Sequence, residues 1–349
     1  MRLAYNNIVG VLVIMLLLLS ILGPYAVYKR ATEVLRYPTV TGKASSIGSI
    51  GIHIVLPPPD MNSLNLTAVL AEDNKSIILL WNSVSANNYS IYITDDIVSG
   101  FDYANPNITG LTATNWTDVN ASQAQQRYYK VGVWNSGLEY VSNETAGKYD
   151  IEIKFANGNP AGYELNQISL PLMPANLSFS NIVRGGSDGD MVLRFNRTDL
   201  GPNFVGWETN IKIGGTWMGD FDVFSLLEGY VFINVQTPYN LTIAGRVPSE
   251  EVAISMPAVT GSPAGHEMIL LGWNSAYPNC NLSNALNTTT PPETIVWFNT
   301  TNIGGQYDGW QTFMLIGSQW FPTSGCMLPG KGYRFVQIGT PYTWHYDRG

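Results

Sequence analysis

Side chains able to do chemistry are sparse in this sequence, and the histidines show this first. His53, His266 and His345 lie far apart along the chain, and none has a second histidine three or four residues away. The sequence also lacks the spaced motifs of zinc proteases, serine hydrolases, phosphate loops and dinucleotide-binding turns. We therefore expect a protein that is not an enzyme and that carries no cofactor.

Paired carboxylates are the remaining candidates, because two acidic side chains suffice for some hydrolytic mechanisms. Asp188 with Asp190 and Asp220 with Asp222 are close pairs beside glycines. Aspartates in turns commonly accept hydrogen bonds from backbone amides, and carboxylate oxygens at 187–190 would also suit weak Ca²⁺ binding. We expect turn capping at both pairs, and the Ca²⁺ site at 187–190 is the alternative.

The two cysteines, Cys280 and Cys326, are the next candidates. An even number of cysteines in an oxidising compartment favours a disulfide, whereas two thiolates without a nearby histidine make half of a zinc site. Closing this loop stabilises a fold by about 4 kcal/mol on the chain-entropy model. The sequence therefore predicts a disulfide and an oxidising environment, with no metal bound.

Potential N-glycosylation sites occur along most of the chain, as Asn-x-Ser/Thr triplets without proline at the middle position. The acceptor residues are Asn65, Asn74, Asn88, Asn107, Asn115, Asn120, Asn143, Asn176, Asn196, Asn240, Asn281, Asn287 and Asn299. Any one triplet is weak evidence in a sequence rich in Asn and Thr. Their spread indicates a translocated chain with exposed loops, so N-linked glycans are expected partners.

Residues 8–28 are apolar apart from Ser20 and the glycine and proline positions. About twenty helical residues cross a bilayer core of roughly 30 Å. A cleaved signal peptide needs small residues at its cleavage site, and Pro24 precedes the best candidate, Ala26. We expect an uncleaved signal-anchor helix at 1–37, with removal of the segment as the alternative. Charges on both flanks leave the orientation open, and the glycosylation triplets place the C-terminal part outside the cell.

Composition indicates the fold class. Charged residues make up 13% of the chain, and 34 glycines, 20 prolines and 12% aromatic residues are typical of short strands joined by many turns. The prediction is an all-β protein of tandem β-sandwich modules that follow one N-terminal hydrophobic helix. The net charge of -8 excludes nucleic acid as a partner, since no basic surface is available.

Residues 61–156 contain short alternating segments at 76–81, 89–93, 128–134 and 149–153, separated by turn residues. This region resembles a fibronectin type III domain, and the residues that carry the resemblance are Trp81, Tyr92, and the Tyr129-x-Val131-x-Val133-x-Asn135-Ser136-Gly137 segment. The resemblance implies a β-sandwich in which the tryptophan packs between the sheets and a tyrosine pins a corner. Residues 38–60 would be a strand and a proline-rich linker, with 46–56 able to add to the sheet of another subunit.

The rest of the chain contains an internal repeat. Residues 195–239 align without gaps with 298–342 at an offset of 103, and the alignment pairs Trp217 with Trp320 and Gly229-Tyr230 with Gly332-Tyr333. We call 157–247 repeat 1 and 248–349 repeat 2. Both resemble a Trp- and Gly-rich repeat of secreted bacterial and archaeal surface proteins, which implies passive β modules.

The repeated tryptophans Trp207, Trp217, Trp310 and Trp320 are expected in the cores, because each tryptophan buries a large area in a small module. Stacking on sugars is the alternative. These observations favour a membrane-anchored, glycosylated cell-surface protein with a structural or adhesive role and an extracellular C-terminal region. The alternatives are a subunit of a pilus-like filament with the hydrophobic helix in its core, and a carbohydrate-binding surface protein. Self-association or other surface proteins are possible partners.

Overall fold

A computed structural model gives the architecture of most of the chain after residue 57. All described residues belong to one compact unit, Val55–Gly349. Expectations for the helix at 1–37 and the strand at 46–56 lie outside the described residues. Within the described part, no helix is both long and apolar enough to span a bilayer. The described ranges are 58–155, 166–195, 207–256, 268–286, 293–298, 310–316, 319–323, 325–337 and 342–346.

The all-β prediction is confirmed for these residues. They form antiparallel sheets with two short α-helices, α1 (Phe179–Ile182) and α2 (Leu282–Leu286). Single 3₁₀ turns occur at Met61–Ser63 and Ala121–Gln123.

The first module is a β-sandwich of two facing sheets. One sheet has the strand order β1-β2-β5, and the other has the order β4-β3-β6-β8 with β7 paired to the end of β6. The segments predicted at 76–81, 89–93, 128–134 and 149–153 are strands β2, β3, β6 and β8. The bounds are β1 (Thr67–Leu70), β2 (Ile77–Leu80), β3 (Asn88–Thr94), β4 (Ile108–Leu111), β5 (Asn115–Asp118), β6 (Gln126–Asn135), β7 (Leu138–Val141) and β8 (Ala146–Ile153).

Of the aromatic residues singled out in the sandwich, Trp81 and Tyr129 lie in its core, whereas Tyr92 is buried outside that core, against Tyr103. Trp81 is buried and meets the ring of Tyr89 edge-on at 5.5 Å. The Tyr129 hydroxyl, on β6, donates to Asp118 Oδ2 at 2.9 Å and so ties β6 to the end of β5 in the opposite sheet. Burial, followed by the negative charge of Asp118, raises the pKa of Tyr129, so the hydroxyl stays protonated and remains a donor. Tyr92 is buried in the same module.

Each sequence repeat contains a five-stranded sheet, and the two sheets have matching strand orders, β12-β11-β10-β13-β9 and β19-β18-β17-β20-β16. Phe195 pairs with Trp207 in repeat 1. Phe298 pairs with Trp310 in repeat 2, so the pairing keeps the offset of 103. The bounds are β9 (Asn166–Ile168), β10 (Met191–Phe195), β11 (Trp207–Ile213), β12 (Thr216–Gly219), β13 (Tyr230–Ile233), β14 (Tyr239–Arg246), β15 (Val252–Met256), β16 (Met268–Gly272), β17 (Glu293–Phe298), β18 (Trp310–Ile316), β19 (Gln319–Phe321), β20 (Gly332–Gln337) and β21 (Tyr342–Tyr346).

A pair of strands accompanies each five-stranded sheet. Tyr239 of β14 lies opposite Ile153 of β8, and Tyr342 of β21 lies opposite Met256 of β15, again at the offset of 103. Strand β8 also pairs with β6, so β14 extends the sandwich sheet to six strands. Among the described residues, β15 pairs with β21 alone. Repeat 1 is thus built into the sandwich sheet through β14. Repeat 2 also lies against the sandwich, since a Cβ atom on Gly330 would be 3.1 Å from the Tyr149 ring on β8.

The two repeats contact each other through two pairs of residues, and the residue that one repeat contributes to the first pair is equivalent to the residue that the other repeat contributes to the second. Ile168 of repeat 1 forms an isolated bridge with Lys331 of repeat 2, and Glu228 of repeat 1 forms one with Leu271 of repeat 2. Ile168 and Leu271 are equivalent at the offset of 103, and so are Glu228 and Lys331. A self-complementary contact of this kind is the pattern of a two-fold interface. The repeat interface is therefore a two-fold contact within one chain.

Backbone hydrogen bonds repeat this exchange. Ser169 N donates to Gly330 O, and Gly272 N donates to Leu227 O, each at 3.2 Å. Strand β9 ends at Ile168, because the next amide, that of Ser169, donates its hydrogen bond to the other repeat. The repeat interface thus uses main-chain groups that would otherwise continue a sheet.

The glycines of the two Gly-Tyr motifs make close backbone approach possible at this interface. A Cβ atom on Gly229 would lie 2.8 Å from Leu271 O, and one on Gly332 would lie 2.7 Å from Ile168 O. Both distances are shorter than a side-chain carbon can tolerate without movement of the backbone. The repeated Gly-Tyr spacing in the sequence therefore reflects the contact between the repeats.

Candidate functional site

The carboxylates at 187–190 cap backbone amides. Asp190 is buried, and its two oxygens accept hydrogen bonds from Ser187 N at 2.7 Å and Val235 N at 2.8 Å. Asp188 Oδ1 accepts one from Gly215 N at 2.8 Å. These carboxylates hold loops together, as aspartates in turns commonly do.

The other candidates for chemistry are separated from one another. Asp220 Oδ2 accepts a backbone hydrogen bond at 2.9 Å. His345 lies 3.1 Å from Glu251 in an exposed position, while His53 and His266 lie outside the described residues. In the part of the chain that the structure describes, no three His, Cys, Asp or Glu side chains are grouped to hold a metal ion.

The two cysteines form the predicted disulfide. The Cys280 and Cys326 sulfurs are 2.09 Å apart. Beside the bond, Asn279 and Met327 exchange backbone hydrogen bonds of 2.9 and 2.8 Å. The cross-link therefore joins the segment before α2 to the segment before β20 within repeat 2, and it indicates an oxidising environment.

The repeated tryptophans divide between the core and the surface. Trp217 packs against Phe179 with ring centroids 5.2 Å apart, and Trp320 is buried in repeat 2. Trp207 is 36% exposed because it lies at the first residue of β11, so it is not the core residue that was expected. The side chain of Trp310 lies outside the described residues.

The predicted acceptor asparagines lie at the surface wherever the structure describes them. Asn88 is half-buried on β3, and the others are exposed. The exposed set is Asn65, Asn74, Asn107, Asn115, Asn120, Asn143, Asn176, Asn240 and Asn281. Asn196, Asn287 and Asn299 lie outside the described residues. Attachment of a sugar at the exposed set would displace no core side chain.

One acceptor, Asn143, lines a cleft of about 290 Å³ where the sandwich meets both repeats. The walls come from the loop between β3 and β4, from β6, from the turn between β7 and β8, and from residues after β14 and β16. Its volume is at the lower limit of ordinary ligand pockets. A single sugar ring or a short saccharide is therefore the size of occupant that it suits.

Three aromatic rings line this cleft: Phe101, Tyr103 and Tyr277. Phe101 and Tyr103 lie 6.1 Å apart with planes inclined by 31°. Tyr103 is 52% exposed, and its ring is held from behind by Tyr92 in an edge contact at 5.6 Å. Partial burial raises the pKa of Tyr103 and of Tyr277, so both hydroxyls remain neutral hydrogen-bonding groups at ordinary pH.

The polar wall of the cleft is a connected set of charges. Arg246 donates from a guanidinium N–H to Glu144 Oε1 at 2.9 Å, and Glu144 Oε2 accepts from Leu66 N at 2.6 Å. Lys130 Nζ donates to the carbonyls of Ser142 and Asn143. Burial lowers the pKa of Lys130. Aromatic faces beside fixed polar groups are the combination that recognises the apolar faces and hydroxyls of a sugar.

Sequence reasoning named Asn143 but missed the rest of the cleft. The aromatic residues of the cleft come from two loops, one with Phe101 and Tyr103 and the other with Tyr277. These loops lie far apart in the sequence, and no periodic pattern marks the three residues. The one local signal is the pair of aromatic residues at 101 and 103 in a segment that is otherwise rich in Asp, Asn, Gly and Ser.

Comparisons with known proteins add little to this geometry. No family model matches the chain, and no curated protein matches it. Among solved structures, the chain is similar to a Fn3-like protein from Clostridium thermocellum at 28% identity, covering 22% of this chain and 80% of that chain with a TM-score of 0.20.

Proposed function

We propose that this protein is a non-catalytic cell-surface glycoprotein with a structural or adhesive role, anchored through residues 8–28 and presenting the β modules outside the cell. The supporting observation is the exposure of nine of the ten acceptor asparagines in the described part of the chain, with the tenth half-buried. The Cys280–Cys326 disulfide supports the same compartment.

The architecture suits a protein that presents its β modules at the cell surface, because the modules are joined by strand pairing and hydrogen bonds rather than by flexible linkers. Strand β8 belongs to the sandwich and also pairs with β14 of repeat 1, and the two repeats share main-chain hydrogen bonds. The sandwich is proposed to be a fibronectin type III-like module, on the basis of its β1-β2-β5 and β4-β3-β6-β8 sheets. The repeats are proposed to be surface-protein modules of the Trp- and Gly-rich kind.

The test uses the native protein from its own cell membrane. We expect N-terminal sequencing to find residues 8–28 retained, glycopeptide mass spectrometry to find sugars on the exposed asparagines, and protease added to intact cells to cleave the chain. Bare asparagines with two free thiols, in protein recovered from the cytosol, would contradict the proposal.

A filament subunit is the second candidate, and the edge of β15 favours it. The equivalent strand β8, in the sandwich, lies between β14 and β6, whereas β15 has one strand partner among the described residues. Unpaired strand edges accept strands from other chains. Electron microscopy of cell surfaces separates the candidates, since regular fibres that label with antibody to this protein favour the filament.

A further inference from the structure

We propose that the N-linked glycan on Asn143 folds back into the cleft between the sandwich and the repeats, where it packs on Tyr103 and its aromatic neighbours. The proposal rests on the proposed function, because it requires a glycosylated chain. It adds a specific role for one acceptor: the Asn143 glycan would be part of the folded structure, while a glycan at Asn120 would extend into solvent.

Asn143 lies at the rim of the cleft. Asn143, Glu144 and Thr145 are a complete acceptor triplet, and all three residues line the cleft. Asn143 itself is exposed. Its Nδ2 donates to Asn62 Oδ1 at 3.3 Å, which uses one of the two amide hydrogens. The amide carries a second hydrogen, and a sugar in its place would leave the Asn62 contact intact.

Attachment of the sugar requires an activated donor, a lipid-linked saccharide phosphate. The bond between the anomeric carbon and Nδ2 of Asn143 forms while the anomeric carbon–oxygen bond of the donor breaks. The phosphate leaves with the bonding electron pair, and the amide loses one proton. The donor and its transferase belong to the compartment in which such triplets are modified.

The lining of the cleft matches the chemistry of a sugar. The C–H face of a pyranose ring packs on aromatic rings, and Tyr103 offers a half-exposed face that Tyr92 holds in place. Sugar hydroxyls need polar partners, and Arg246 uses one of its five N–H donors for Glu144 Oε1. The carboxylate of Glu144 and the ammonium of Lys130 also line the cleft, which gives hydroxyls both donors and acceptors.

Covalent attachment at Asn143 also favours occupancy of the cleft. A saccharide joined to the rim of a cleft has a high effective concentration there, so weak contacts suffice for occupancy. A contact as weak as one aromatic pair would leave a free sugar largely unbound. The same contact is enough to keep an attached sugar in the cleft.

The experiment compares two glycans on the same full-length native chain. Enzymatic release from Asn143 and from Asn120 is followed by glycopeptide mass spectrometry, and we expect release from Asn143 to be about tenfold slower, the factor given by one aromatic contact. Tyr103→Ala should bring the Asn143 rate to the Asn120 rate. Val98→Ala, a change at an exposed residue of the same loop, should leave both rates unchanged and controls for loop disturbance.

Each outcome has one meaning. Equal release rates in the unsubstituted protein would overturn the docked glycan, as would a slow Asn143 rate that Tyr103→Ala leaves unchanged. A bare Asn143 beside occupied Asn120 would overturn this inference while the glycoprotein proposal stands. Bare asparagines throughout would contradict the proposed function itself. If an added free saccharide protects Tyr103 from chemical modification in the unsubstituted, glycosylated protein, the cleft is open to external sugars and the attached glycan does not occupy it.

Discussion

The two repeats share one framework but are stabilised in different ways. Strand β8 of the sandwich pairs with β14 of repeat 1 on one edge and with β6 on the other, and Lys148 and Asp150 form a buried ion pair of 2.6 Å there. The positions at the offset of 103 in repeat 2 are Glu251 and Ala253, both exposed. Equivalent positions are thus interior beside repeat 1 and at the surface in repeat 2.

The repeats also differ in the interactions that stabilise the region around their short helices. In repeat 1, Phe179 of α1 stacks on Phe224 at 5.3 Å. The residue equivalent to Phe224 in repeat 2 is Met327, and it is flanked by the disulfide cysteine Cys326. Aromatic packing in repeat 1 is therefore matched by a covalent bond in repeat 2. A framework that the two repeats share is therefore stabilised by different interactions at the same position, ring stacking in repeat 1 and a cross-link in repeat 2.

The largest expected difference between the repeats is at the buried ion pair. Lys148→Ala should lower the free energy of unfolding by about 3–5 kcal/mol, because it leaves the Asp150 carboxylate buried without its cation. Glu251→Ala, the equivalent change in repeat 2, should change it by less than about 0.5 kcal/mol, since Glu251 is exposed. Urea denaturation followed by tryptophan fluorescence measures both. Equal losses for the two variants would show that the repeats are not in different environments.

The sequence predicts the strands and the repeat, but it does not predict that equivalent positions are buried in one place and exposed in the other. Alternating apolar residues predicted strands β2, β3, β6 and β8, and the repeated Gly-Tyr and Trp positions gave the offset of 103 that the strand pairing keeps. Pairing between β8 and β14 joins segments about ninety residues apart, and no local pattern encodes it. The cleft was missed for the same reason, because its walls come from five separate segments.

The disulfide gives the next largest effect. Replacing Cys280 and Cys326 together by serine should lower the free energy of unfolding by about 4 kcal/mol on the chain-entropy model for a loop of this length. The loss should fall on repeat 2, because both cysteines lie there. Hydrogen exchange should therefore show weaker protection in β16–β20 than in β9–β13. A uniform loss of protection across both repeats would mean that the interface between the repeats couples them into one cooperative unit.

Substitution of an interface glycine in either repeat should lower the free energy of unfolding by a similar amount. Gly229→Ala and Gly332→Ala each place a methyl group within 3 Å of a backbone carbonyl oxygen of the other repeat. Overpacking of this kind costs about 1–3 kcal/mol, and the two-fold relation predicts similar losses for both, measured as urea midpoints. Gly214→Ala is a control for loss of glycine alone, since no atom lies within 4 Å of its added carbon, although its positive φ adds some strain. A large loss for one interface glycine and none for the other would contradict the reciprocal contact.

The smallest expected effect concerns the two equivalent tyrosines. Tyr230 OH accepts a hydrogen bond from Ser225 N, and Tyr333 OH accepts one from Leu328 N, each at 2.6 Å. Burial raises the pKa of both hydroxyls, and the charge of Glu228 adds to the shift at Tyr230. A raised folded-state pKa means that the unfolded chain loses the proton first. The contribution to stability is therefore complete below a pH of about 10 and declines as the pH rises above it.

Tyr230→Phe and Tyr333→Phe should each cost about 1 kcal/mol at neutral pH, the value of one hydrogen bond. Each variant should also lose stability less steeply than the unsubstituted protein as the pH rises above about 10. Unfolding midpoints across that range measure the slope, and tyrosinate absorbance of the folded protein measures ionisation. Tyr103→Phe, at a half-exposed hydroxyl, serves as the control with a smaller change of slope. Early ionisation of Tyr230 alone would mean that the two repeats differ in their cores as well as at their ends.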